Sequence, residues 1–371
     1  MSPSTRAYAA TRKGLFTIDR AGDGSWDVTK GDFLGDHFSL VYVDPRDGAV
    51  YGAMELGHFG VKVQRSTDGG KTWEEVGKPT YPEKPEGLSD KDGWGKEVPW
   101  NTERIWALTS GGADRPGELW LGTIPGGLFH SRDRGESWEF VESLWNHAGR
   151  KKWMGGGADL PGLHSICVDP RDSDRITVGV SCGGVWISTD GGKSWNVGGQ
   201  GMRADFMPPD QQLDPGIQDP HCVVQSPSDP DVFWTQHHCG IWRSTDNCQS
   251  WHEVTAARPS AFGFPVAVHP TDPDTAWFVP AIKDERRYPV DGNVVVSRTR
   301  DGGKSFKVLA KGLPQGHAYD LVFRHALDVD RSGERLVFGS TTGSLWVSED
   351  QGDRWLTVSE HLPPIDCVRF A

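Results

Sequence analysis

The sequence predicts an all-β protein, a seven-bladed β-propeller of four-stranded antiparallel blades, closed by the C-terminal strand joining the N-terminal blade. Three observations lead there. One short motif returns along the whole 371-residue chain, each copy sits in the same order of apolar runs and turns, and the two chain ends read as complementary parts of one blade.

The motif is seen most plainly in GVWISTDGGKSW, Gly184 to Trp195. Related copies are RSTDGGKTW ending at Trp73, HSRDRGESW at Trp138, RSTDNCQSW at Trp251, RTRDGGKSF at Phe306 and VSEDQGDRW at Trp355, with a decayed copy, IDRAGDGSW, ending at Trp26. The spacing of 47 to 65 residues falls in the range where internal repeats mean propellers or solenoids.

Each copy has the same surroundings. Upstream lies an apolar run ending in an Asp-Pro turn, such as HSICVDPRD, VVQSPSDPD or VAVHPTDPD. Proline fixes φ there, and aspartate bonds back to its own backbone. A second apolar run follows, as in RITVGVSC, then a glycine turn, a third strand such as GVWIS, the motif itself, and a short fourth strand. Four antiparallel strands per repeat make a propeller blade. The chain begins with strands of the second, third and fourth type, RAYAATRKGLFTID to GSWDVT, and ends with PPIDCVRFA, a strand of the first type. Joined, they complete one blade and remove the open sheet edges. The expectation is therefore one domain, residues 1–371, with long insertions at about 78–103, 143–162, 200–220 and 282–292 on one face.

Composition agrees. Gly (47) and Pro (25) supply turns, and 17 Trp supply large packing groups between short strands. A net charge of −12 argues against a nucleic-acid or anionic-membrane surface. No apolar run reaches the roughly 18 residues of a membrane span, and MSPSTRAYAATRKG contains no apolar segment typical of an export signal. A cytoplasmic protein with six reduced cysteines is expected, packed as small hydrophobes.

The S-x-D-x-G-x-x-W pattern resembles the Asp-box, or bacterial neuraminidase repeat, of the sialidase- and sortilin-like propellers. In that family the box occupies the turn between the third and fourth strands, opposite the catalytic face. The residues explain the box without chemistry. Asp190 and Ser188 can bond to backbone within their own turn, Gly191 and Gly192 permit positive φ, and Trp195 anchors the blade. The resemblance also implies glycoside hydrolysis, although the first-blade Arg-Ile-Pro motif of sialidases is replaced by ATRKGLF.

Long loops tend to carry function, and here they gather on the face away from the boxes. Histidines at the starts of innermost strands, His37, His164, His221 and His317, are candidate ligands for a divalent transition metal such as Zn, Fe or Cu. Glu55 and Glu103 are candidate general bases, and Arg104 a partner for an anionic oxygen. Arg12, Lys13, His58, His237, His238 and Lys283, at the ends of second strands, are candidate substrate-binding groups for a small or sugar-like molecule. No nucleotide cofactor is expected. Two other readings stay open: a glycosidase using two of Glu55, Glu103, Asp219 and Asp320, and a non-catalytic scaffold presenting Trp94, Trp100, Trp145 and Trp153 to a ligand or protein.

Overall fold

A computed structural model describes residues 2–371. The strands form seven four-stranded antiparallel sheets arranged as propeller blades. Ile365–Phe370 is the innermost strand of blade 1 and pairs with Arg6–Thr11 in the register Ala7↔Phe370 to Thr11↔Ile365. The two chain ends therefore close the ring. Phe38, Trp120, Trp186, Trp234, Trp277 and Trp346 are fully buried among the blades, which accounts for the tryptophan-rich composition. All six cysteines are free.

The boxes hold their own turns. Asp190 accepts the Lys193 and Ser194 backbone N–H groups at 3.0 and 2.9 Å and the hydroxyls of Ser188 and Ser194. Ser188 Oγ accepts Gly192 N–H, and Gly191 and Gly192 sit at φ 72° and 84°. Asp68 is wired the same way. The box carboxylates are thus engaged by donors of their own turn.

The innermost strands share a feature that decides where side chains point. In six blades the pairing with the second strand slips once near the strand start: Phe38/Leu40, Ile105/Ala107, Leu163/Ser165, Pro220/Cys222, Gly263/Val266, and Ile365/Cys367 opposite Ala10/Thr11. Each slip is a β-bulge, which leaves a residue outside the ladder and re-aims it. Ser39, Trp106, His164, His221 and Asp366 are the residues skipped, and Phe264 lies within the blade 6 bulge.

Blade 7 completes the ring differently. Just before its innermost strand, Leu327–Val329, Arg324 Nε donates to the His221 carbonyl at 2.7 Å and His325 Nε2 donates to the His164 carbonyl at 2.8 Å. The bulges had removed those carbonyls from the ladder. A buried carbonyl needs a partner, and blade 7 supplies one to each across the axis.

Four long connections interrupt the blades. Three connect the outermost strand of one blade to the innermost strand of the next, spanning 77–103, 141–161 and 198–219. The fourth joins Ala276–Pro280 to Val296–Thr299 within blade 6. Trp145 and Trp153 are buried under these loops, and Trp100 packs edge-on against Trp145.

Candidate functional site

Two cavities open along the axis. The larger, about 820 Å³, is lined near the Asp-Pro turns by Pro45, Arg46, Pro170 and Pro227, and further along by His164, His325 and Arg369. It carries no carboxylate. The smaller, about 330 Å³, lies under the long loops and is lined by Trp94, Phe206, Asp219, His221, His238, Phe264, Asp284, Glu285 and Arg287 among others. Reactive groups gather in this second cleft.

Its floor is built from one blade. Asp219 immediately precedes the innermost strand Pro220–Gln225, His221 is that strand's bulged residue, and His238 follows the second strand, Phe233–His237. His221 Nε2 stands 3.5 Å and His238 Nδ1 3.3 Å from Asp219 Oδ2. The other carboxylate oxygen accepts Cys182 N–H at 3.0 Å and Ser181 Oγ at 3.2 Å. His221 Nδ1 donates to the Gly263 carbonyl at 2.7 Å, and its ring stacks on Phe264. Glycines let the roof approach closely. A Cβ on Gly156 would come 3.3 Å from Asp219 Oδ2, and one on Gly157 would collide with Arg324 Nη2 at 2.6 Å.

Electrostatics on the floor are strongly shaped by burial. Burial by itself would raise the Asp219 pKa, but the neighbouring His221 and His238 hold it well below the usual carboxylate range. His221 is pushed down by burial, which outweighs Asp219. Burial works against protonation of the half-buried His238 too, yet Asp219 prevails and raises it. Glu285 is held low by Lys283. Arg324, fully buried, is lowered to about 10 by burial, and its Nη2 has no partner.

The four histidines expected to converge are not brought to one point. His221 reaches the floor with His238. His164 lines the other cavity, hydrogen-bonds Ser165 and packs edge-on to Trp106. His37 belongs to a separate network: its Nε2 contacts Asp366 at 2.6 Å and its Nδ1 lies 3.7 Å from Glu55, which pairs with Arg104 at 2.6 Å. His317 is exposed in a loop at φ 56°, and the corresponding place in blade 7 is taken by Arg324 and His325.

The remaining candidates scatter. Glu55 and Arg104 neutralise each other, and Arg104 sits two residues before the bulged Trp106 rather than at the His164 and His221 position. Glu103 is exposed at the start of blade 3, with its carboxyl raised chiefly by partial burial. Arg12 is exposed 3.8 Å from Asp366, and Lys13 sits in an exposed turn. His58 tops an exposed turn, Gly57–Phe59. His237 is buried, pushed down to about 3 by burial, with its ring nitrogens facing the Asp219 and Cys239 amides. It holds backbone rather than substrate. Lys283 pairs with Glu285 at the rim. Sequence reasoning missed Arg324 and His325. Their signal was an Arg-His pair at the head of the apolar run ALDVD, in a repeat that lacks the Asp-Pro turn.

Fold and repeat together define a seven-bladed propeller built on Asp-boxes. A family model described as the BNR/Asp-box repeat matches residues 64–75 and 186–197. Among curated proteins, the chain is 28% identical over 220 residues to a probable oligoxyloglucan-reducing end-specific xyloglucanase of Neosartorya fischeri, covering 52% of this chain and 25% of that one. It is 24% identical over 266 residues to the oligoxyloglucan-reducing end-specific xyloglucanase of Emericella nidulans, covering 64% and 30%. The chain thus spans a quarter to a third of the length of these relatives. Among solved structures, the GH74 xyloglucanase of Xanthomonas campestris superposes with a TM-score of 0.62 at 20% identity over 95% of this chain and 52% of that one. YCF48 bound to D1 peptide superposes with a TM-score of 0.53 at 13% identity, covering 96% and 85%. These structural likenesses concern the fold.

Proposed function

We propose that the protein is a carbohydrate-active enzyme that cleaves glycosidic bonds in the cleft under its long loops. One observation carries this reading: exposed aromatic rings and several carboxylates share that one cleft. Trp94 is 64% and Phe206 41% exposed, and Asp219, Asp284, Glu285 and Arg287 line the same space. Aromatic faces stack on the apolar faces of sugars, while carboxylates and guanidinium groups bond their hydroxyls. At the floor, Asp219 stays ionised, and His238 is the neighbour whose proton affinity is raised. That pair can hold a negative charge beside a reacting oxygen and pass it a proton. The xyloglucanase relatives support an oligosaccharide as substrate and make xyloglucan fragments the first to try.

A metal-assisted reaction at the same floor is the second reading, favoured by the spacing of Asp219, His221 and His238. The test of function is release of new reducing ends from xyloglucan oligosaccharides and a wider glycan panel, in buffers with and without added divalent metals. Turnover that disappears in His238→Ala while thermal unfolding is unchanged is expected. Neither turnover nor binding of any glycan in either buffer would overturn the proposal.

A further inference from the structure

We propose that Asp219, His221 and His238 form a mononuclear site for a first-row divalent metal ion, facing the cleft with at least one open coordination position. One ligand atom from each lies within 4.8 Å of the others. The two N···O distances, 3.5 and 3.3 Å, are too long for charge-assisted hydrogen bonds, which run about 2.7–2.9 Å. The protein makes a short contact of that kind elsewhere, between His37 and Asp366 at 2.6 Å. Ligands about 2.0–2.1 Å from a tetrahedral ion stand roughly 3.4 Å apart, the separation of each imidazole nitrogen from the Asp219 oxygen here.

The tautomer of His221 supports the same reading. A carbonyl can only accept, so Nδ1 carries the proton that bonds Gly263 O at 2.7 Å. Nε2, the atom that faces Asp219, is then the one placed to bind a metal ion. A proton or a metal ion between the two atoms makes their approach favourable, and the spacing is that of two ligands on one metal ion. The surroundings are those of a ligand shell: a backbone carbonyl orients one histidine, and Ser181 Oγ and Cys182 N–H fix the carboxylate through its other oxygen. Asp219 and His221 are almost wholly buried, whereas the His238 side chain is 23% exposed at the cleft. Three protein ligands with an open side suit an ion that takes water or a substrate oxygen, in contrast to closed structural sites. Two imidazoles and one carboxylate admit Zn, Fe or Mn and disfavour Ca or Mg, which prefer all-oxygen shells. The ion would polarise an oxygen brought in by the substrate, so the site deepens the second reading above.

The test reads metal, not turnover. The full-length protein is stripped with a chelator, desalted and titrated with zinc chloride by calorimetry, and with cobalt(II) by visible absorption. One equivalent of zinc and the d–d bands of a low-symmetry cobalt site are expected. His238→Ala, at a partly exposed position, is expected to weaken zinc by 10- to 100-fold while His37→Ala binds like the parent. Asp219→Asn is scored only if its thermal unfolding shows a folded protein, and is then expected to abolish the cobalt bands. Absence of stoichiometric binding to stripped, folded protein overturns the site, as does a His238→Ala variant with parental affinity. Metal binding without glycan cleavage would leave this site standing and remove the glycosidase reading. Cleavage without metal binding would do the reverse.

Discussion

The Arg324 guanidinium lies 4.3 Å over the Trp106 ring, a contact that reaches from blade 7 to the bulged residue of blade 3. With its bond to the His221 carbonyl, it ties three blades together beneath the cleft. The guanidinium is buried and one nitrogen is unpartnered, so the charge is costly where it sits. Arg324→Met keeps much of the volume and removes that cost, and is expected to unfold in urea within about 1 kcal/mol of the parent. Arg324→Ala leaves a hole at the axis and is expected to lose about 2–4 kcal/mol. If both variants lost the same amount, the hydrogen bond and charge, rather than packing, would be what blade 7 contributes.

The boxes set an acid limit. Hydrogen bonds from the Ser194 hydroxyl and backbone N–H lower Asp190 to about 2, and Ser305 does the same for Asp301. A carboxylate depressed in the folded state stabilises above its unfolded pKa, about 3.9, and loses that contribution as pH falls through the folded value. Melting temperature is therefore expected to drop between about pH 4 and pH 2. Asp190→Asn is expected to start lower at pH 7 and to show a shallower acid slope. Parallel curves for variant and parent would refute the assignment.

The propeller was legible because its signals are local. A box such as Ser188 to Trp195 contains the whole wiring of its turn, and the split blade at the ends needs only strand order. The site was legible in part. His221 and His238 flank one hairpin in sequence, so both could be placed on the loop-rich face. What escaped depends on pairing. A bulge changes the parity of a strand, and every side chain before it faces differently from a simple count. In blade 3, where SGGADRPGE stands in place of the Asp-Pro turn, the bulged residue is Trp106, two residues after Arg104. In blade 7, which also lacks the Asp-Pro turn, the start of the innermost strand was taken at His317 rather than at Arg324 and His325.

Asp328 gives a pH dependence of the opposite sign. Burial raises its carboxyl to about 6, partly countered by Arg369, while Oδ2 accepts Phe370 N–H at 2.8 Å. A carboxyl raised in the folded state contributes stability below its unfolded pKa and loses it as pH rises through the folded value. Asparagine keeps an acceptor for Phe370 and does not ionise. Asp328→Asn is expected to gain roughly 1–2 kcal/mol relative to the parent at pH 8 compared with pH 5. Chemical unfolding at the two pH values measures it, and an equal difference at both would mean that Asp328 ionises normally.

Trp94 stands at the wall of the cleft with most of its surface in solvent, held by a turn in which Asp92 Oδ1 accepts the Trp94 and Lys96 N–H groups. The turn does not depend on the indole, so Trp94→Ala is expected to leave thermal unfolding unchanged. If the ring is a stacking platform for a sugar, its loss removes binding common to ground and transition states. KM for an oligosaccharide should then rise about tenfold, equivalent to about 1.4 kcal/mol, with kcat little altered. Steady-state kinetics on the oligosaccharide cleaved best separates the outcomes. A fall in kcat at constant KM would place Trp94 in the chemistry instead, and no change in either would take the sugar out of this wall of the cleft.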